Sequence, residues 1–233
     1  MAMIDGIVFD KDGTLFDFRL SWGRWTADLL RALTADAEQA QTLGNAIGYD
    51  MATGAFDAAS PVIAATPREI AECLVPHLPN QSLQALVDRM NTLSAATEMS
   101  PAVPLMPLLA DLRARGLKIG LATNDTEAPA RAHLTAAGVL DLFDFVAGCD
   151  SGYGGKPAPG QLIAFAASFG LDPGRVAMVG DSHHDLLAGR AAGMHTVAVL
   201  TGIATGADLA PHADVVLQDI SALPQWIDQL SSA

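Results

Sequence analysis

Short apolar runs alternate with helical patterns over most of this chain, and no other feature limits its fold as much. Residues 7–9, 117–122, 143–147, 176–179, 196–200 and 215–217 are compact runs dominated by apolar residues. Helical patterns cover residues 105–115, 127–137, 161–169, 184–192 and 220–230. The first four of these stop at Gly116, Gly138, Gly170 and Gly193, as helices do where a left-handed residue must follow. Continuous apolar runs suit strands buried on both faces of a parallel sheet. Strand–helix alternation requires right-handed crossovers, so the expected class is α/β with a doubly wound parallel sheet.

Residues 17–99 break that rhythm. They hold helical patterns and no convincing strand: 21–33, with Trp22, Trp25, Leu29, Leu30 and Leu33 at helical spacing, then 37–47, a helix running from Thr66 to about 78, and 82–96. Thr66-Pro67-Arg68-Glu69 is a strong start, since Thr66 can cap, Pro67 suits the first turn and Glu69 closes a capping box. The expected organisation is a core from residues 1–16 and 100–233, with a small helical domain, 17–99, inserted after the first strand.

Chemistry concentrates at strand ends, where open α/β sheets bind ligands. The first run ends in Asp10-Lys11-Asp12-Gly13-Thr14-Leu15. Two carboxylates one residue apart repel, so a cation, a shared proton or a basic group must hold them. Thr123 follows the second run, Lys156 stands in a Gly/Pro-rich loop, and Asp181 and Asp185 flank a strand-to-helix turn. Each has an ordinary reading: a solvated turn, a cap, a surface charge, a macrodipole contact. Strand alternation carried past Phe9 points Lys11 away from Asp10 and Asp12, with no catalytic role expected for it. His183 and His184 read as polar turn residues by default.

Taken in order, Asp10-x-Asp12, Thr123, Lys156 and Gly180-Asp181-x-x-x-Asp185 resemble the four motifs of the haloacid dehalogenase superfamily. The insert resembles the C1-type cap of its phosphoglycolate phosphatase-like branch, and the core would be Rossmann-like. The resemblance implies an Mg²⁺-dependent phosphatase acting on a small phosphate monoester, 2-phosphoglycolate among the candidates, through an aspartyl-phosphate. It implies Asp10 as nucleophile and Asp12 as general acid and base. It assigns Thr123, Asn124 and Lys156 to the phosphoryl group, and the Asp10 side chain, the Asp12 carbonyl, Asp181 and Asp185 to the metal. Asp12 argues against dehalogenation, and the lack of any Lys in residues 17–99 argues against a Schiff-base phosphonate hydrolase. A β-phosphoglucomutase-like mutase and an idle binding protein on the same fold are the alternatives. Among cap residues, Arg19, Arg24, Arg31, Arg68 and Arg89 include candidates for binding a substrate carboxylate, although solvated helix charges are the plainer reading.

Charge and composition bound the partners. Lys+Arg 13 against Asp+Glu 26 gives a net −13, which argues against nucleic acid and anionic membranes. No basic leader or membrane-length apolar run is evident, so a cytoplasmic protein, monomer or homodimer, is expected. Cys73 and Cys149 are too few and too far apart for a disulfide framework or zinc spacing.

Overall fold

The computed structural model describes residues 4–232. Its sheet has six strands, β1 (Gly6–Phe9), β2 (Lys118–Ala122), β3 (Phe145–Ala147), β4 (Val176–Gly180), β5 (His195–Val199) and β6 (Val215–Leu217). They lie in the order β3-β2-β1-β4-β5-β6, and every pairing is parallel. β1 is central: Phe9 lies opposite Leu121 on one side and Val179 on the other. The chain order reverses beside β1, so the carboxyl ends of β1, β2 and β4 meet at a switch point.

Period-two alternation divides these strands between two faces. Ile7, Phe9, Ile119, Leu121, Val179 and Val197 enter one core cluster. Val8, Ala122, Val176 and Met178 enter another on the opposite face. The core helices are α5 (Leu105–Ala114), α6 (Glu127–Ala136), α7 (Gly160–Phe169), α8 (His183–Ala192), the short α9 (Gly206–Leu209) and α10 (Leu223–Ser232), numbered after the four helices of the insert. α7 sits close against β2 because Gly120 leaves room for the Phe165 ring; a Cβ there would lie 2.6 Å from it.

The four preceding helices, α1 (Phe18–Leu33), α2 (Ala37–Ala46), α3 (Pro67–Leu74) and α4 (Leu83–Ala95), surround an apolar cluster of their own, including Trp22, Trp25, Leu29, Leu43, Leu74 and Met90. Thr66 and Glu69 form the expected capping box at α3. α1 begins three residues earlier than its periodicity suggests, because Asp17 accepts from Leu20 N–H and caps it. Two chain segments join this unit to the sheet. They pair with each other: Ala102 N–H donates to Leu15 O and Asp17 N–H to Ser100 O, at 2.9 and 2.8 Å.

Candidate active site

Asp10 leaves the end of β1 buried, at 7% exposure. Gly13 then turns the chain with φ +83°, and a Cβ there would strike the Asp181 carboxylate. That close approach is what requires glycine. Asp181 extends from β4, and Asp185 lies in the first turn of α8. Asp10, Asp181 and Asp185 each present a carboxylate oxygen within 4.8 Å of the others.

Lys156 reaches into this acidic centre. Its Nζ donates to Asp10 at 2.5 Å and to Asp185 at 2.6 Å. The second Asp185 oxygen accepts from Ser182 N–H and Oγ–H, at 3.0 and 2.7 Å. Thr14 Oγ1 lies 3.5 Å from Asp181. Thr123 is almost fully buried; its hydroxyl oxygen accepts from Asp125 N–H, and its carbonyl accepts from Gln161 Nε2. The Asn124 side chain is fully engaged: Nδ2 donates to Ala64 O and Lys156 O, and Oδ1 accepts from Lys156 N–H. It fixes the Lys156 loop and ties it to the helical insert, so any contact with phosphate is left to its main chain.

Burial pushes the Asp10 carboxyl up to about 7; Lys156 pulls it down, and Asp185 and Asp12 push it further up. Burial also raises Asp181 well above the usual range, with the Asp10 and Asp185 charges adding to it. For Lys156, burial disfavours the ammonium, yet Asp10 and Asp185 outweigh it and raise its pKa. These carboxylates therefore lack positive charge. An all-oxygen donor set of this kind, with one lysine beside it, fits a hard divalent cation such as Mg²⁺.

Lys11 departs from expectation. Its side chain is fully buried, and Nζ contacts both Asp12 oxygens at 2.9 Å and Asp125 at 3.2 Å. Strand alternation fails as a guide because β1 ends at Phe9 and the backbone is already turning at Lys11. The ammonium also lies 5.1 Å from the Trp22 ring centre and 3.1 Å from His133 Nδ1. Since Lys11 can only donate, Nδ1 accepts, and Nε2–H donates to Ser94 O at 2.7 Å. His133 is thus held neutral in one tautomer, linking the core to α4. Burial, then the Lys11 charge, lowers its pKa.

Sequence reasoning missed His133 and misread Lys11. One signal was available: His133 shares the inward face of α6 with Pro129, Ala130 and Leu134. A depressed histidine pKa means the native state binds fewer protons than the unfolded chain. The associated stability is therefore present above about pH 6.5 and lost as pH falls toward the folded value. Replacing His133 with Ala should cost about 2 kcal/mol near pH 7, through unpaired Lys11 and Ser94 groups. The variant's denaturation midpoint should also decline less than wild type between pH 6.5 and 5.

Asp10, Asp12, Thr123, Asn124, Lys156, Asp181 and Asp185 all line one cleft between the sheet ends and the helical unit. His184 lines it too. His183 does not; its Nε2 donates to Asp208 O on the exposed side.

Residues 4–193 match the family model of the haloacid dehalogenase-like hydrolases. The chain belongs to that family. It is 35% identical over 122 residues to a phosphoglycolate phosphatase of Rhodospirillum rubrum, a match covering 52% of this chain and 51% of the relative. The chain thus spans about half the length of that curated relative. A 26% identical match to hexitol phosphatase B of Escherichia coli covers 93% and 92% of the two chains. The fold is similar to a crystal structure described as a predicted phosphoglycolate phosphatase from Haemophilus somnus, with TM-score 0.74, 19% identity and coverage of 97% and 98%. Among the described residues, no helix is long and apolar enough to cross a membrane.

Proposed function

We propose that this hydrolase is a phosphatase that cleaves small phosphate monoesters through a covalent aspartyl-phosphate on Asp10. The observation that carries this reading is the meeting of Asp10, Lys156 and Asp181 at the switch point with Asp12 beside them. In this reading Asp10 attacks phosphorus and the ester oxygen leaves. Asp12, held by Lys11 from the side, gives its proton to that oxygen and then takes one from the hydrolytic water. Lys156 and the Thr123 hydroxyl hold the phosphoryl oxygens as charge develops on them.

Asp10, Asp181 and the Asp12 carbonyl would hold Mg²⁺, with Asp185 orienting Lys156 and the ion's surroundings because both its oxygens are already engaged. Bound there, Mg²⁺ supplies positive charge that keeps Asp10 ionised and offsets the charge of the phosphate dianion. Residues 17–99 would act as a cap that closes the cleft over the leaving group and excludes water. The names of the similar phosphatases support phosphate monoesters as the substrate class, and the net charge of −13 favours a small-molecule substrate over nucleic acid.

The test is hydrolysis of p-nitrophenyl phosphate with and without Mg²⁺, followed by Asp12→Asn. Activity should require the divalent ion. Asp12→Asn should lose about 10²-fold in kcat on alkyl esters and clearly less on aryl esters, whose phenolate leaves without a proton. Equal losses on both would remove the general-acid role.

A further inference from the structure

The phosphatase reading, on which this inference rests, needs Asp12 to meet the leaving oxygen as its bond to phosphorus breaks. Asp12 lines the cleft, with its side chain 15% exposed. An acid in that position ordinarily turns among several rotamers. Lys11 restrains it. Nζ lies 2.9 Å from each Asp12 oxygen. Each carboxylate oxygen has two lone pairs, so Asp12 can carry a proton on one oxygen and stay bonded to Lys11 through the other.

The restraint works only if Lys11 is itself fixed. Its ammonium is fully buried, and burying a charge is costly unless each donor is matched. The three N–H groups of Nζ face three partners: Asp12, Asp125 at 3.2 Å and His133 Nδ1 at 3.1 Å. The last two are anchored in turn. Asp125 Oδ1 accepts from Thr126 N–H at 2.8 Å, and Oδ2 accepts from Ser94 Oγ–H at 3.2 Å. His133 Nε2–H donates to Ser94 O at 2.7 Å. Ser94 lies near the end of α4, so the frame draws on both the core and the insert. A hydrated acid at a cleft needs no buried cation for its stability. An acid that must keep one orientation does.

We infer that Lys11 is a positioning residue. With Asp125 and His133 it holds the Asp12 carboxyl in its donating orientation, and it touches neither substrate nor metal. The residue between the two acids therefore sets how efficiently the leaving group is protonated.

The experiment compares kcat/KM with Mg²⁺ for phenyl phosphate and p-nitrophenyl phosphate in wild type, Lys11→Met, Asp12→Asn and the double variant. This ratio covers the steps up to departure of the phenol, before the aspartyl-phosphate is hydrolysed. Lys11→Met should lose about tenfold or more on phenyl phosphate, since misplacing a reacting group by about 1 Å can cost roughly a hundredfold. On p-nitrophenyl phosphate, whose phenolate leaves without a proton, the loss should stay under about threefold. In the Asp12→Asn background the same substitution should cost less than about twofold, because the group it positions is gone. No loss, equal losses on the two esters, or a loss that persists in the Asp12→Asn background overturns the inference and leaves Lys11 as a counter-ion for folding. If Lys11→Met does not fold, Asp125→Asn decides, since it keeps an acceptor for Thr126 N–H and removes the charge facing Lys11. It should lose about threefold or more on phenyl phosphate and clearly less on the nitrophenyl ester, and equal losses or none overturn the inference. If wild type hydrolyses neither ester, the phosphatase reading falls and this inference falls with it.

Discussion

Asp10→Asn should leave a folded protein with no measurable turnover. The amide is nearly the size of the carboxylate, and Asp10 is buried beside Lys156, so the main change is the loss of the oxygen anion proposed as the nucleophile. A neutral amide also relieves repulsion at this centre, where the Asp185 charge raises the Asp10 pKa and the Asp10 charge raises that of Asp181. The variant should therefore unfold no more easily than wild type even though one Lys156 contact is weakened. Its kcat should fall by well over a hundredfold. Retention of more than about a hundredth of wild-type kcat would remove the covalent mechanism. Rapid-quench labelling with a phosphate ester supplies a second readout, since wild type should accumulate label on Asp10 and the variant should not.

The alternation of apolar runs and glycine-terminated helices made the α/β class legible. Polar residues at the ends of residues 7–9, 117–122 and 176–179 located the cleft, because parallel strands bring their carboxyl ends to one edge. What could not be read was pairing across long sequence separations. Asp125 and Lys11 are 114 positions apart by their numbers, and their contact at 3.2 Å depends on how β1 and β2 align. Lys11 also shows where a local rule stops: period-two alternation holds only inside a strand, and β1 has four residues. The unpaired indoles of Trp22 and Trp25 were equally hidden, since their spacing marks them as core without telling that their N–H groups lack partners.

Lys156→Met should fail in two separable ways. Met keeps the length of the buried stem and removes the ammonium, leaving Asp10 and Asp185 without their shared cation. Removing one partner from a buried ion pair typically costs about 3–5 kcal/mol, so the denaturation midpoint should drop markedly in metal-free buffer. Mg²⁺ should restore much of that stability, and should stabilise the variant more than wild type. With less positive charge in the site, the three carboxylates attract the ion more strongly, and an ion that binds only the folded state stabilises it by mass action. Turnover distinguishes the two roles of Lys156. If it only neutralises carboxylates, saturating Mg²⁺ should bring back activity along with stability. If it also holds the phosphoryl oxygens, kcat/KM should stay about 10³-fold down at any Mg²⁺ concentration, the scale of losing a preorganised donor to developing charge. The second outcome is expected, because the Asn124 side chain fixes the loop backbone at Lys156 through bonds of 2.8 Å and Nζ lies 2.5 Å from Asp10, the proposed nucleophile to which the phosphoryl group would be transferred. Full recovery of turnover with Mg²⁺ would reduce Lys156 to a counter-ion.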